Sequence, residues 1–273
     1  MKFFTISLFP NTIENYVQES ILGRAQKNKL IKITNLQLRD FTKDKHKRTD
    51  GIPYGGGPGM VLWIDPIINT FEKILKEIFK DKKKLPSQNN QLKQSEVNKN
   101  ILIINFIPSM QNAKIFTNIL AKEYAKKYSH IIFLCARYEG LDARVNLILK
   151  DILTAKKKEV KEKNKETLPE KSINPSVKQL QDFNFKIENI SIGDFVLTGG
   201  EIPAMLLIDA ISRQIIGVLN KNESLEENRI TSHKIYARPE IYEKKINQTV
   251  KKYRVPKVLL SGHHKKIEEW RAK

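Results

Sequence analysis

The most informative part of the chain is the stretch Ser191-Ile192-Gly193-Asp194-Phe195-Val196-Leu197-Thr198-Gly199-Gly200-Glu201-Ile202-Pro203-Ala204-Met205. Here a short hydrophobic segment flanked by glycines leads straight into an apolar run. The run predicts a helix over residues 203–216 that is apolar on almost every side, so it has to be buried in a core or an interface. Because backbone recognition needs no special side chains, the amides before this helix are candidates to bind a polar, planar ligand.

Two charged residues interrupt the apolar helix. Asp209 and Arg213 are four residues apart and therefore share one side of it. A buried guanidinium needs a partner, since an unpaired buried charge is very costly. Spacing alone favours a salt bridge between Asp209 and Arg213 over a catalytic role for the arginine.

Strands and helices alternate on the N-terminal side of the stretch. Residues 101–107 and 131–135 are apolar runs of strand length, and a helical pattern over 113–128 separates them. This is the signature of a βαβ unit. Further strands are predicted at residues 3–9 and 31–38. The sequence therefore predicts an α/β fold.

Two other segments are suited to ligand contact. The motif Arg137-Tyr138-Glu139-Gly140 follows a predicted strand, and α/β folds usually bind ligands at the carboxyl ends of strands. The glycines of Tyr54-Gly55-Gly56-Gly57-Pro58-Gly59-Met60 let a backbone approach a ligand closely. No Gly-Lys-Ser/Thr follows, which excludes a nucleotide-phosphate loop. Taken alone, this glycine loop is equally well explained as a tight structural turn.

The composition favours a polyanionic partner. The chain has 273 residues, with 49 Lys and Arg against 30 Asp and Glu, and a net charge of +19. Its single cysteine, Cys135, excludes an internal disulfide framework and predicts a reducing, cytoplasmic compartment. No apolar run approaches the roughly 18 residues that cross a bilayer, so no membrane is expected. No metal-ligand motif occurs either, and we predict no metal site.

Lysine-rich segments and a polar linker suggest the domain organisation. Residues of about 80–100 and 154–186 are poor in apolar periodicity and are predicted to be surface insertions. A solvated loop is a simpler interpretation of each than an RNA-binding arm. We expect a first domain over residues 1–219, a linker over 220–231 and a short C-terminal domain over 232–273.

In combination and in order, these segments resemble the bacterial tRNA (guanine-N1)-methyltransferases of the TrmD family, in the SPOUT class. The matching segments span nearly the whole chain: Ile6–Pro10, Gly23–Ala25, Arg39–Thr42, Pro53–Met60, Arg137–Gly140, Ser191–Met205, Tyr236–Pro239 and Val258–Gly262. The resemblance implies a SPOUT-type parallel sheet with helices on both faces and a C-terminal trefoil knot, followed by a small helical, tRNA-binding domain. It also implies a homodimer with active sites at the subunit interface.

The resemblance further implies that S-adenosylmethionine lies bent in the knot, held largely by backbone groups. The matched cofactor contacts are Pro108, Ala136, Tyr138, Glu139, Ile192, Gly193, Asp194, Phe195, Val196, Leu197, Gly199, Gly200 and Pro203. The matched substrate contacts are Asp50, Tyr54, Gly55, Gly56, Gly57 and Arg238. A magnesium requirement for activity is plausible in this family.

The implied reaction is methylation of N1 of guanosine 37, just 3′ of the tRNA anticodon. Arg213 matches the family arginine, which raises its catalytic interpretation above the salt bridge. The family base is an acidic linker residue, but counting from Arg213 puts Asn228 at that position, and an amide cannot act as a base. The linker is shorter than is usual, so its register can slip. We assign the base to Glu227, with Glu226 next.

Two alternatives remain open from the sequence. One is a SPOUT-fold RNA-binding protein that has lost its linker base. The other is a methyltransferase with a different RNA target, since the insertions could alter recognition.

Overall fold

A parallel sheet of six strands forms the centre of the first structural unit. The computed structural model describes residues 1–80, 99–108, 112–166, 183–219 and 234–272, and the chain divides into the units Met1–Val218 and Leu219–Lys273. The strands of the first unit are β1 (Lys2–Ser7), β2 (Lys32–Gln37), β3 (Asp50–Gly51), β4 (Val61–Leu62), β5 (Lys99–Phe106), β6 (Lys114–Ile115), β7 (His130–Leu134) and β8 (Phe183–Ser191). The sheet order is β2-β1-β7-β5-β8-β6, with parallel neighbours throughout, while β3 and β4 form a separate hairpin.

Helices connect these strands and cover the sheet. They are α1 (Pro10–Val17), α2 (Ser20–Lys27), a 3-10 turn (Leu38–Phe41), α3 (Ile64–Lys80), α4 (Asn118–Lys127), α5 (Arg144–Glu166) and α6 (Glu201–Arg213). Among the residues that the structure describes, no helix is both long and apolar enough to span a membrane.

The two faces of the sheet carry separate hydrophobic cores. Successive strand side chains point to opposite faces. Phe3 belongs to a core with apolar residues of α1, α2, α4 and α6, whereas Phe4 belongs to a core with residues of α3 and α5. Both phenylalanines are fully buried. The prediction of an α/β fold with a parallel sheet between helices is confirmed.

The interpretation of the lysine-rich segments as solvated loops is wrong at their edges. Thr154 to Glu166 continue helix α5, and β8 begins at Phe183. Val160 is buried in the core beneath α3 and α5, and the Lys156 ammonium lies 5.5 Å from the centre of the Phe79 ring. Long lysine side chains can cover apolar surface with their stems while their charges remain in water, so a lysine-rich sequence can still be an ordered helix. The remainder of both segments lies outside the described residues.

The second unit is a hairpin followed by two short helices. Its elements are β9 (Ile241–Ile246), β10 (Thr249–Arg254), α7 (Lys257–Leu260) and α8 (His264–Arg271). β9 and β10 are antiparallel and joined by Asn247 and Gln248, which both have positive φ. The prediction of a small helical C-terminal domain therefore does not hold for residues 241–254, which form a hairpin. The linker expected at 220–231 lies outside the described residues.

Candidate active site

The segment after β8 crosses the end of β7 at very short range. The Gly200 amide donates a hydrogen bond of 2.9 Å to the Ala136 carbonyl, and Arg137 pairs with Gly199 in an isolated antiparallel bridge. A Cβ atom on Gly200 would lie 2.6 Å from the Cα atom of Cys135. Only glycine permits this approach. The structure thus brings together Ala136, Gly199 and Gly200, which the sequence predicts as cofactor contacts.

The buried carboxylate of Glu201 contacts the segments that flank this crossing. Glu201, the first residue of α6, is 2% exposed. Its carboxylate accepts a 2.7 Å hydrogen bond from the Ser7 hydroxyl and forms an ion pair of 3.2 Å with Arg137. The Arg137 guanidinium also lies 4.3 Å from the centre of the Phe9 ring. We call Ser7, Arg137 and Glu201 the clamp, because it joins β1, the loop after β7 and the start of α6.

Residues 194–198 keep their backbone amides available, whereas the Gly193 amide donates a 3.3 Å hydrogen bond to the Ser191 hydroxyl. None of the amides of residues 194–198 donates a hydrogen bond to another residue in the described ranges. Asp194, Phe195 and Val196 are exposed. Unpaired amides beside a close backbone crossing match what a ligand held by main-chain groups requires, so this segment fits S-adenosylmethionine.

The remaining predicted cofactor contacts lie at the same sheet edge or on α6. Pro108 follows the carboxyl end of β5, whose neighbours are β7 and β8. Pro203 lies buried in the first turn of α6, where a missing N–H costs nothing. Tyr138 has a φ of 57°, an uncommon left-handed conformation for an aromatic residue, and its side chain is half exposed. This strained backbone turns the chain sharply between Arg137 and Glu139.

The base of the glycine loop contacts the loop after β7. The Glu139 amide donates a 3.0 Å hydrogen bond to the Met60 carbonyl, and a Cβ atom on Gly59 would lie 2.5 Å from the Glu139 carboxylate. Asp50 pairs with Leu62 across the β3–β4 hairpin. The tip of the glycine loop, in contrast, is open to solvent. Tyr54 is fully exposed, and no atom lies within 4 Å of a Cβ built on any of Gly55 to Gly57.

Arg213 lies at the other end of α6, beside an open depression of about 400 Å³. Its walls come from α1 and α6: Tyr16, Ile202, Met205, Leu206, Asp209, Ala210 and Arg213. Although Asp209 and Arg213 are both described, no ion pair joins them. Asp209 instead accepts a 2.6 Å hydrogen bond from the Tyr16 hydroxyl, which raises the pKa of Tyr16 to about 12, with smaller contributions from burial and the negative charge. The salt-bridge interpretation of Arg213 is therefore wrong.

Comparison with known proteins identifies the family. The sequence model of the family described as tRNA (Guanine-1)-methyltransferase TrmD matches residues 1–155 and 170–273. The chain belongs to the TrmD family. A tRNA (guanine-N(1)-)-methyltransferase of Lachnoclostridium phytofermentans is 35% identical over 99% of this chain and 85% of its own length. Proteins of the same name from Ruminiclostridium cellulolyticum and Clostridioides difficile are 35% and 34% identical, over 99% of this chain and 89% and 90% of their lengths.

The sequence motifs do not predict the clamp. Arg137, Ser7 and Glu201 lie in three separate matched segments, and no sequence pattern joins them. The available signal was an acidic residue at the start of a helix that is otherwise apolar. A charge there calls for a buried partner.

Four residues of the TrmD assignment lie outside the first unit. The bases considered for the reaction, Glu227 and Glu226, lie outside the described residues, as does Asn228. Arg238 is exposed in the second unit. Within the described ranges, no three His, Cys, Asp or Glu side chains are grouped as metal ligands.

Proposed function

We propose that this chain transfers the methyl group of S-adenosylmethionine to N1 of guanosine 37 in tRNA. As a member of the TrmD family, it is a tRNA (guanine-N1)-methyltransferase. The observation that carries the proposal is the crossing at Gly200, where unpaired amides and a close backbone contact meet at the carboxyl ends of β5, β7 and β8. We further propose that this crossing is part of a trefoil knot.

The cofactor would lie against residues 192–200 and the loop after β7. Free amides of residues 194–198 can donate to its polar edges, while Ala136 and Gly199 would form the wall of its pocket. When bound, S-adenosylmethionine supplies an electrophilic methyl group on a positively charged sulfur. The clamp has no direct role in this chemistry. It holds the crossing in place because it anchors both segments to β1.

The protein then has to make guanine N1 nucleophilic. N1 carries a proton at neutral pH, and we assign the removal of that proton to the Glu227 carboxylate. General-base catalysis of this kind is typically worth about 100- to 10,000-fold in rate. As the proton leaves, negative charge develops on O6, and the Arg213 guanidinium would stabilise it. The N1 lone pair forms the new bond to the methyl carbon, and the electrons of the broken carbon–sulfur bond stay on sulfur.

Arg213 cannot reach the crossing along its own helix. The 13 residues of α6, at about 1.5 Å rise per residue, put the Cα atoms of Glu201 and Arg213 about 18 Å apart. A second copy of the chain would solve this problem if its α6 ran beside the first copy's crossing. The surface beside Arg213 supports this arrangement. Tyr16, Ile202 and Leu206 are 45%, 50% and 41% exposed on the α1–α6 face.

We therefore propose a homodimer whose two active sites each use residues of both subunits. Neighbouring apolar side chains this exposed are typical of an interface rather than of a solvated surface. The glycine loop would complete the site. Because its base is fixed at Glu139 and its tip is free, Tyr54 and Gly55 to Gly57 can close over the cofactor and the target base. The substrate and the single buried Cys135 both agree with a cytoplasmic location.

The decisive experiment is methyl transfer from labelled S-adenosylmethionine to an unmodified tRNA transcript. The same transcript with adenosine in place of guanosine 37 is the matched control. We expect transfer to the first and none to the second, and Glu227→Gln should slow the single-turnover rate. Cofactor binding with transfer to neither transcript would favour an RNA-binding protein without catalysis. Equal transfer to both would place the target elsewhere. Running the assay with and without Mg²⁺ tests the magnesium requirement.

A further inference from the structure

The β9–β10 hairpin presents two faces of different chemistry. Residues opposite each other in an antiparallel pair share a face, and the faces alternate along each strand. Tyr242 faces Tyr253, and Lys244 faces Lys251, two positions further along the same face. We call these four residues the tyrosine–lysine face.

The opposite face is partly neutralised. It carries the pair of Glu243 and Lys252, whose charged groups lie 2.6 Å apart in an ion pair. Lys245 and Arg254 are on this face too, across from Val250 and Ile241. Both faces carry a net charge of +2, but the opposite face holds an ion pair, and only the tyrosine–lysine face places two lysines directly across from each other.

The tyrosine–lysine face has no such compensation. Lys244 and Lys251 are directly opposite each other, and like charges in this position destabilise a hairpin. Neither lysine forms an ion pair with another residue in the described part of the chain. Tyr242 and Tyr253 are 56% and 52% exposed beside them. Two lysines without an ion pair and two accessible tyrosine rings are suited to bind a ligand that has negative charge and planar groups.

We propose that the tyrosine–lysine face binds an RNA strand that has at least one unstacked base. A phosphate between Lys244 and Lys251 would remove their repulsion, and a neighbouring base would stack on Tyr242 or Tyr253. Stacking on an aromatic side chain requires a base that is not already in a helix. This proposal rests on the proposed function, in which tRNA is the substrate, because the loops of tRNA contain such bases.

The test is the tRNA affinity of two double variants that lose the same charge. Lys244→Gln with Lys251→Gln changes the tyrosine–lysine face, and Lys245→Gln with Arg254→Gln changes the opposite face of the same strands. We expect the first to raise the Kd for tRNA by about tenfold or more and to lower the slope of log K against log salt by about one to two. The second should change both much less. Equal weakening by the two variants, or no change in either, would overturn the proposal.

A loss of tRNA affinity in the first double variant should not result from unfolding of the hairpin. Removing a like-charge pair should leave the hairpin at least as stable, and the affinity for S-adenosylmethionine provides a check on the first unit. For the rings, Tyr242→Phe with Tyr253→Phe keeps the stacking surface and should retain affinity, whereas Leu at both positions should lose it. An RNA duplex without loops should compete poorly against tRNA. If the duplex competes as well as tRNA, or if the Leu variant binds normally, stacking is wrong.

Failure of this proposal can be told apart from failure of the proposed function. If wild-type protein methylates tRNA but the first double variant keeps its full affinity, only the tyrosine–lysine face is refuted. If wild-type protein transfers no methyl group while the first variant still loses tRNA affinity selectively, the face stands and the reaction is wrong.

Discussion

The two ends of helix α6 contrast sharply. At its start, Glu201 is buried, and both Ser7 and Arg137 bind its carboxylate. At its end, Arg213 has no ion-pair partner among the described residues and borders an open, largely apolar depression. One end is complete within a single chain. The other has the features of a surface that a second chain completes.

This difference separates two tasks of the proposed enzyme. The start of α6 shapes a rigid backbone crossing for the cofactor, so changes there should alter stability and cofactor affinity. The end of α6 supplies charge for the transition state, so changes there should alter the rate and leave the fold intact. Variants at the start of α6 should consequently lose stability and cofactor affinity, whereas variants at its end should lose rate.

The largest effect is expected for Gly200→Val. The new side chain would overlap the backbone of Cys135, which cannot move without shifting β7. We expect the free energy of unfolding to fall by about 4 kcal/mol or more and S-adenosylmethionine binding to be lost. Denaturant unfolding and calorimetry measure the two quantities.

Gly56→Ala is the control for this variant. Gly56 has a positive φ, of 78°, whereas the φ of Gly200 is −80°. No atom lies within 4 Å of a Cβ built on Gly56. Only backbone strain remains, and its cost is about 1 kcal/mol. Similar losses of stability in both variants would mean that the crossing at Gly200 has no special constraint.

Arg213→Gln should have the next largest effect, and on the rate alone. Loss of a guanidinium that stabilises developing charge is typically worth about 100- to 1,000-fold in kcat. The Kd for S-adenosylmethionine should be unchanged, because the proposed role of Arg213 is to stabilise charge that develops on guanine O6 and not to bind the cofactor. Single-turnover kinetics and calorimetry separate these quantities.

A mixing experiment tests whether Arg213 acts across subunits. Arg213→Gln protein mixed with a variant disabled at the crossing, such as Gly200→Ala, would form one intact site if each site uses both chains. Recovery of activity supports the shared site. No recovery in a verified mixed dimer would place Arg213 in its own subunit's site.

An intermediate effect is expected when the clamp is opened by Glu201→Gln. The amide can still accept the Ser7 hydrogen bond but no longer neutralises Arg137. In a double-mutant cycle with Arg137→Gln, the coupling should be about 1–3 kcal/mol. The KM for S-adenosylmethionine should rise more than the KM for tRNA, since the clamp supports the crossing. A coupling near zero, or equal changes in the two KM values, would assign the clamp no positioning role.

The reactivity of the Cys135 thiol should also report on opening of the clamp. Burial raises the pKa of its thiol, and the negative charge of Glu201 adds to the effect. Since the thiolate is the reactive form, wild-type protein should react slowly with a thiol reagent at neutral pH. Glu201→Gln should react faster, and S-adenosylmethionine should slow both. As the chain has a single cysteine, the signal has one source.

Sequence patterns predict more of the fold than of the candidate active site. Apolar runs such as residues 101–107 and 131–135 predict β5 and β7 because burial on both sides of a sheet leaves a continuous pattern. The hairpin at 241–254 was missed because its strands are largely exposed and therefore lack apolar alternation. The lysine-rich part of α5 was missed for a similar reason.

The site depends on contacts that sequence patterns do not encode. Arg137 and Glu201 are 64 residues apart, and their ion pair exists only because the segment after β8 crosses β7. Tyr16 and Asp209 are 193 residues apart, so spacing wrongly favoured the local pair of Asp209 and Arg213. The resemblance to a family supplied the cofactor contacts, since amides leave no side-chain signal.

The smallest effect is expected for Tyr16→Phe, at the open end of α6. The hydroxyl that binds Asp209 is partly exposed and exchanges for water, so its loss should cost less than about 1 kcal/mol at neutral pH. The pKa of Tyr16 is about 12 in the folded chain against 10 for the ordinary phenol. The hydrogen bond therefore stabilises the fold fully below pH 10, and its contribution is lost as the pH rises toward 12. The stability difference between wild type and Tyr16→Phe should accordingly shrink over that interval, as measured by urea unfolding at several pH values. A loss at neutral pH as large as that of Glu201→Gln would show that both ends of α6 are equally fixed within one chain, and the contrast between them would fail.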